Sequence, residues 1–347
     1  MQTRLCRIHD RQDLRVETAD VAAPHSGEVL VQIGTGGICG SDLHYYHDGG
    51  FGPVRIKEPM VLGHEVAGTV QSIGPDVTGL KPGDRVALNP SRPCGNCEYC
   101  DQGLFQHCHE MLFFGSAMRF PHVQGAFRDR MVVKAEQCVP VSDTTEMAEA
   151  ACAEPLSVCL HARSRAPDLK GKRVLVTGAG PIGVLCAALA AEAGAAEIVS
   201  TDLQDMPLQV ALKMGATRAI NVGTNPEEML PYMENKGHFD VAFECSAAAP
   251  AIHAAIAALR PQGSLVQVGV TGEVLVPINQ LVGKEINFLG THRFHPEFKL
   301  AVDMINRRVI DVRPMVTQTY PLEQAIAAFD IAGDRSRAVK VHLTFAG

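Results

Sequence analysis

The sequence predicts a two-domain α/β protein, in which an irregular β-rich domain is joined to a doubly wound parallel sheet. Three observations carry that expectation. The chain has 347 residues, more than one hydrophobic core usually spans. Its first part is loop-rich, with clustered cysteines and glycines, whereas from Lys172 onward short apolar strands alternate with helical stretches. A glycine turn of GxGxxG spacing stands at the first of those strand-to-helix joins.

Composition narrows the function. With 46% hydrophobic and 20% charged residues the chain reads as an ordinary globular protein. A net charge of -7 argues against nucleic-acid phosphates as the partner. The opening stretch "MQTRLCRIHDRQDLRV" is studded with charge where a signal peptide needs an apolar run. The longest apolar run, "IGVLCAALAA" (182–191), is too short to cross a bilayer. The expectation is a cytoplasmic protein without a membrane partner.

Taken in order, the first chemistry-bearing segments are "GGICGSDLHYY" (36–46) and "VLGHEVAGTVQSIG" (61–74). Cys39, His64 and Glu65 offer a soft thiolate, an imidazole and a carboxylate, a mixed set that suits zinc and leaves a coordination position open. Singly, each is as readily a packing or hydrogen-bonding residue; the combination points to a catalytic metal. Next, "NPSRPCGNCEYCDQGLFQHC" (89–108) carries Cys94, Cys97, Cys100 and Cys108 at the spacing C-x2-C-x2-C-x7-C, with Pro93, Gly95 and Gly103 supplying bends. The total of 11 cysteines is odd, and a reducing compartment disfavours disulfides, so four thiols this close read as a closed structural zinc site. Then "CAEPLSVCLHA" (152–162) places Glu154 at the start of an apolar helix, where a carboxylate is costly unless paired or metal-bound. It is expected at the same metal, which makes two Zn2+ per chain.

From Lys172, "KRVLVTGAGPIGVLCAALAAEAGA" reads as strand, turn and helix. Gly178, Gly180 and Gly183, with Pro181 and Ile182 between them, form the phosphate-binding turn: the first allows the bend, the second lets backbone approach a pyrophosphate, the third lets helix meet strand. "EIVSTD" ends in Asp202, where an acid meets the adenosine ribose hydroxyls, although the same residue could simply cap a helix. The stretch "DLQDMPLQVAL" (202–212) has two acids and no base, which favours NAD over NADP. "RAINV", "FDVAFECS", "GSLVQVG" and "EINFLGT" complete six strands, the number a doubly wound dinucleotide sheet requires. A helix follows in "RFHPEFKLAVDMINRRVI" and a strand in "AVKVHLTF", so the tail is expected to return to the first domain. The predicted division is 1–152 with 293–347, and 153–292.

Together, the CGSDLH and GHE motifs, the four-cysteine lobe, "GAGPIG" and "FDVAFECS" make the sequence resemble the zinc-containing medium-chain dehydrogenase/reductase family over essentially its whole length. The resemblance implies a GroES-like first domain, a Rossmann second domain, an active site in the cleft between them, and a homodimer or homotetramer joined through a sheet edge. Glu154 resembles the polyol dehydrogenase branch, since simple alcohol dehydrogenases carry cysteine there. Two positions depart from the pattern: Ala247 stands where the family has glycine after "ECS", and Pro207 where a base is usual. A relative without catalysis or without the metal would lack the zinc ligands, and all are present here.

A metal polarises the substrate oxygen and a nicotinamide takes hydride, so the expected reaction is oxidation of a secondary hydroxyl. Ser41 is placed to accept the hydroxyl proton and relay it through the cofactor ribose to His44. The segments that flank the cleft in this family carry Tyr45, Phe114, Arg119, His122, His292 and Arg293, a positively biased set. Arg293 or Arg119 could hold a carboxylate by two parallel hydrogen bonds, which points to a sugar acid; a plain polyol or threonine is the alternative.

Overall fold

The computed structural model describes residues 1–270 and 272–345. The strands predicted after Lys172 form one six-stranded sheet, wholly parallel, in the spatial order 218–221, 197–202, 173–177, 239–244, 259–267, 287–290. That order reverses direction beside Arg173–Thr177, and a doubly wound sheet opens its ligand crevice at such a reversal. Val174, Leu175 and Val176 are all buried, because helices cover both faces of a parallel sheet and leave no solvated side to alternate toward. The helix Pro181–Glu192 follows the first strand, opened by proline, whose missing N–H costs nothing at that position.

The β-rich part centres on a seven-stranded sheet. Glu28–Gly37 is its hub: it pairs antiparallel with Glu65–Ile73, with Arg130–Lys134 and with Lys340–Thr344. The last strand thus brings the chain's tail back to its beginning, in the register His342 opposite Gly37. Beyond it, Val316–Pro321 runs parallel to Lys340–Thr344 at the sheet's edge. Between the two parts lies the helix Ala153–Arg165, which packs on Glu297–Asn306 on one side and Pro181–Glu192 on the other. A single apolar cluster runs from Leu156 and Cys159 through Val174 to Phe294 and Phe298 and ties the two sheets together. No helix among the described residues is long and apolar enough to cross a membrane.

Candidate active site

Cys39 caps the helix Gly40–Asp48, and His64 and Glu65 sit where the neighbouring strand begins. Ligand atoms of these three residues all lie within 4.8 Å of one another. Asp42, fully buried, holds the arrangement: its carboxylate accepts hydrogen bonds from the backbone N–H groups of Cys39 (3.0 Å) and Gly63 (3.1 Å), and lies 3.9 Å from His64 Nδ1. Glu65 meets a buried cation. Lys340 Nζ donates to both of its oxygens, at 2.8 and 2.7 Å, and to the Ile38 carbonyl. Burial lowers the Lys340 pKa, but the Glu65 and Cys39 charges and the hydrogen bond to Glu65 together outweigh it and leave the ammonium above its ordinary value. Gly37 makes room for this pair, since a Cβ there would lie 2.2 Å from Glu65 Oε2.

The donor chemistry fits a metal. Burial pushes the Cys39 thiol up to about 11, with the Glu65 charge adding to it, so a nearby cation is needed to hold the thiolate near neutral pH. His64 Nδ1 is buried with no hydrogen-bond partner. Glu154 lies outside the mutual 4.8 Å set but faces the same charges: burial first, then Glu65 and Cys39, raise its carboxyl to about 8, against a lowering pull from His64. The second expected metal set also converges. The sulfurs of Cys94, Cys97, Cys100 and Cys108 lie within 4.8 Å of one another, and Gly95 and Gly103 take positive φ at the bends between them. Backbone N–H groups of Cys100 and His109 point at Cys97 and lower its thiol to about 6, while Cys94 and Glu110 N–H groups point at Cys108.

Across the cleft, the glycine turn is built as its spacing requires. A Cβ on Gly183 would lie 1.8 Å from the Gly178 carbonyl, and Gly178 itself has φ +84°. Asp202, at the end of its strand, accepts from the N–H groups of Ala179 (2.7 Å), Leu203 (2.7 Å) and Gln204 (3.0 Å), so the carboxylate shapes the turn. The following helix, Asp205–Lys213, is capped by Gln204 rather than by Asp202, and Pro207 falls in its first turn, where proline is tolerated. Ala247 takes φ +59°, the left-handed region that glycine prefers.

The residues expected to touch substrate separate into three groups. Arg293 reaches inward: its guanidinium lies 4.4 Å from the centre of the Phe113 ring, which in turn stands 5.5 Å from the His64 ring. Its backbone is left-handed, φ +50°, a strained conformation of the kind that collects at binding sites. His292 lies beside it, stacked on His107, and burial followed by the Arg293 charge lowers it to about 4. Arg119, by contrast, is paired with Glu110 at the cleft's rim. His122 is a structural tie, donating from Nδ1 to the Arg119 carbonyl and accepting at Nε2 from Lys57 N–H. Tyr45 and Phe114 are buried in the β-rich core, with the Tyr45 hydroxyl accepting from Ala117 N–H. Phe294 is buried between Phe113 and Phe298. Ser41 and His44 stand three residues apart on one helix, Ser41 partly buried and His44 exposed beside Asp48.

Asp42 and Lys340 were not picked out by sequence motifs. Asp42 carries a signal, an acid three residues after a helix cap; Lys340 carries none within its own segment.

Comparison with known proteins gives the class. The alcohol dehydrogenase GroES-like domain matches residues 25–143, and the zinc-binding dehydrogenase domain matches residues 181–307. The chain belongs to this family of zinc-binding alcohol dehydrogenases. L-idonate 5-dehydrogenase (NAD(P)(+)) of Escherichia coli K12 is 41% identical over 346 residues, 99% of each chain. Sorbitol dehydrogenase of Gallus gallus is 37% identical over 340 residues, 97% of this chain and 94% of its own. The crystal structure of L-idonate 5-dehydrogenase from E. coli K-12 superposes with a TM-score of 0.94 over 99% of each chain.

Proposed function

We propose that the protein is a zinc-dependent, NAD-linked dehydrogenase that oxidises a secondary hydroxyl of a sugar acid, with L-idonate to 5-ketogluconate as the reaction. The observation that carries the substrate class is Arg293, whose guanidinium stands one aromatic ring away from the metal-ligand set and has no acid paired to it among the described residues. A bidentate guanidinium binds a carboxylate far better than a neutral polyol. Of the two arginines the sequence offered, Arg119 is already occupied by Glu110, which leaves Arg293 for the acid end.

Cys39 and His64 would hold the catalytic zinc, with a carboxylate from Glu65 or Glu154, and the four-cysteine lobe would hold a structural one. When bound, the catalytic zinc supplies Lewis-acid polarisation of the substrate oxygen. Glu65 has both oxygens on Lys340, whereas Glu154 has no cation within salt-bridge distance among the described residues, so Glu154 is the carboxylate left for the metal or its water. Asp42 keeps Cys39 and His64 in place. Ser41 takes the hydroxyl proton, and His44, on the solvent side of the same helix face, releases it. The Gly178–Gly183 turn, with Pro181 and Ile182, carries the diphosphate of the cofactor and Asp202 its adenosine ribose.

The working division is 1–152 with 293–347 as the catalytic unit and 153–292 as the cofactor unit, supported by which strands share a sheet. A reducing, cytoplasmic setting suits eleven cysteines that all stand as thiols, five of them in the two metal sets. Assembly as a homodimer or homotetramer is supported by an apolar edge on the parallel sheet.

The test is Arg293→Met. Loss of charge-assisted hydrogen bonds should raise KM for L-idonate by roughly 2–3 kcal/mol equivalent while leaving sorbitol and xylitol nearly unaffected. If wild type oxidises sorbitol as efficiently as L-idonate, or if the variant loses acids and polyols alike, the polyol dehydrogenase reading takes its place.

A further inference from the structure

The glycine turn has the shape for a diphosphate but none of the charge. Residues 178–183 contain no Lys or Arg, and the Ala179 N–H is already committed to Asp202. The N-terminus of the helix Pro181–Glu192 supplies only partial positive charge to a dianionic group placed there, and a full cation would have to come from elsewhere in the molecule.

Arg335 is that cation. It follows the helix Ala325–Gly333 and precedes the strand Lys340–Thr344, so it belongs to the tail that rejoins the β-rich sheet. From there it crosses the cleft: a Cβ built on Gly180, the middle glycine of the turn, would lie 3.3 Å from Arg335 Nη1 and 3.6 Å from Cζ. The guanidinium is open to solvent within a hollow lined by His47, Gln204, Asp330 and Ser336. Enough protein surrounds that hollow for burial to draw the Arg335 pKa below its ordinary value, against the opposing pulls of Asp202 and Cys39. No acid is hydrogen-bonded to it among the described residues; the adjacent Asp334 carboxylate is taken up by Ser336.

The two charges it senses mark the ends of an extended dinucleotide. Asp202 stands at the adenosine ribose end and Cys39 at the metal end, where the nicotinamide must deliver its reacting carbon; the diphosphate is the portion between them. We infer that Arg335 clamps the cofactor diphosphate against the Gly178–Gly183 turn from the opposite side of the cleft. The inference rests on the dinucleotide reading of that turn. It also makes the cofactor a tie between the two sheets, since the turn comes from one and the arginine from the other.

The experiment measures NADH binding by its fluorescence, with ADP-ribose, adenosine and NADP+ as competitors, for wild type, Arg335→Met and Arg335→Lys. Arg335→Met should weaken NADH and ADP-ribose by about 10- to 100-fold, as expected for one charge-assisted contact. Adenosine, which lacks phosphate, should bind both proteins equally, the ratio of NADP+ to NAD+ affinity should stay constant, and Arg335→Lys should fall between. Unchanged ADP-ribose binding overturns the clamp, and so does an equal loss for adenosine, which would mark a general structural defect. A loss confined to NADP+ also overturns it, by placing the guanidinium on a ribose phosphate. Failure of wild type to bind NADH at all would instead remove the dinucleotide reading beneath it.

Discussion

At the scale of single residues, the metal-ligand set is readable in the sequence and its support is not. Cys39, His64 and Glu65 fall in two short motifs whose donor types declare themselves, and the strand pairing that sets Gly37 opposite Glu65 brings them together. Lys340 lies 275 residues from Glu65 in a segment that reads as an ordinary strand, where a lysine is expected to face water. Only the register that sets His342 opposite Gly37, and hence the tail beside the strand of Glu65, puts its ammonium behind that carboxylate. Long-range register is invisible to motif spacing. The same holds for the two candidate arginines: their sequence neighbourhoods do not reveal that Glu110 occupies Arg119 while Phe113 carries Arg293 inward. Because both Lys340 and Glu65 are 1% exposed, removing one strands the other's charge. Lys340→Met should therefore destabilise the fold by roughly 3–5 kcal/mol in denaturant unfolding, with part of the loss recovered in the double variant with Glu65→Gln. A single variant within about 1 kcal/mol of wild type would mean that the buried pair is not the constraint its geometry describes.

At the scale of elements, the parallel sheet was legible strand by strand because buried parallel strands are short, uniformly apolar and punctuated by glycine turns. The edge strand Val316–Pro321 was not: "VTQTYP" has no buried face and pairs on one side only, so no hydrophobic period marks it. The turn after the strand Phe239–Glu244 shows how an element can keep its shape against its own sequence. Ala247 is left-handed there, held by its N–H to Glu244 Oε2 and given room by Gly269, where a Cβ would lie 2.6 Å from the Ala247 nitrogen. The neighbouring cofactor crevice thus retains the bend that glycine would give, at the cost of backbone strain. Ala247→Gly should relieve more strain than the added freedom of the unfolded chain takes back, for a net gain of about 0.5–1 kcal/mol. Differential scanning calorimetry should show a small rise in Tm; a fall would show that this backbone is not strained in solution.

At the scale of the whole molecule, one face of the parallel sheet's last strand is unfinished. Among the described residues Asn287–Gly290 pairs only with Leu259–Gln267, on one side, and Phe288 on it is 43% exposed. The helix before it, Ile278–Lys284, has no buried residue: on it Ile278 is 60% and Val282 72% exposed, and Leu275, three residues ahead of it, is 88% exposed. A free strand edge with exposed apolar residues on it and on the helix before it suits a self-complementary interface, because a two-fold axis lets the same edge pair with itself antiparallel and cover both copies at once. No described strand pairs with this edge, while the opposite edge strand, Arg218–Asn221, is flanked by polar and charged groups such as Glu228. The wild-type protein should therefore run as a dimer or tetramer in light scattering coupled to size exclusion at micromolar concentration. Val282→Asp combined with Phe288→Asp should convert it to monomer, since each charge would be buried against its own symmetry mate. The active-site residues lie outside this edge, so the monomer should still bind NADH. A wild type that is already monomeric, or a double variant that keeps its mass, would leave the apolar edge unexplained by self-association and require another occupant for it.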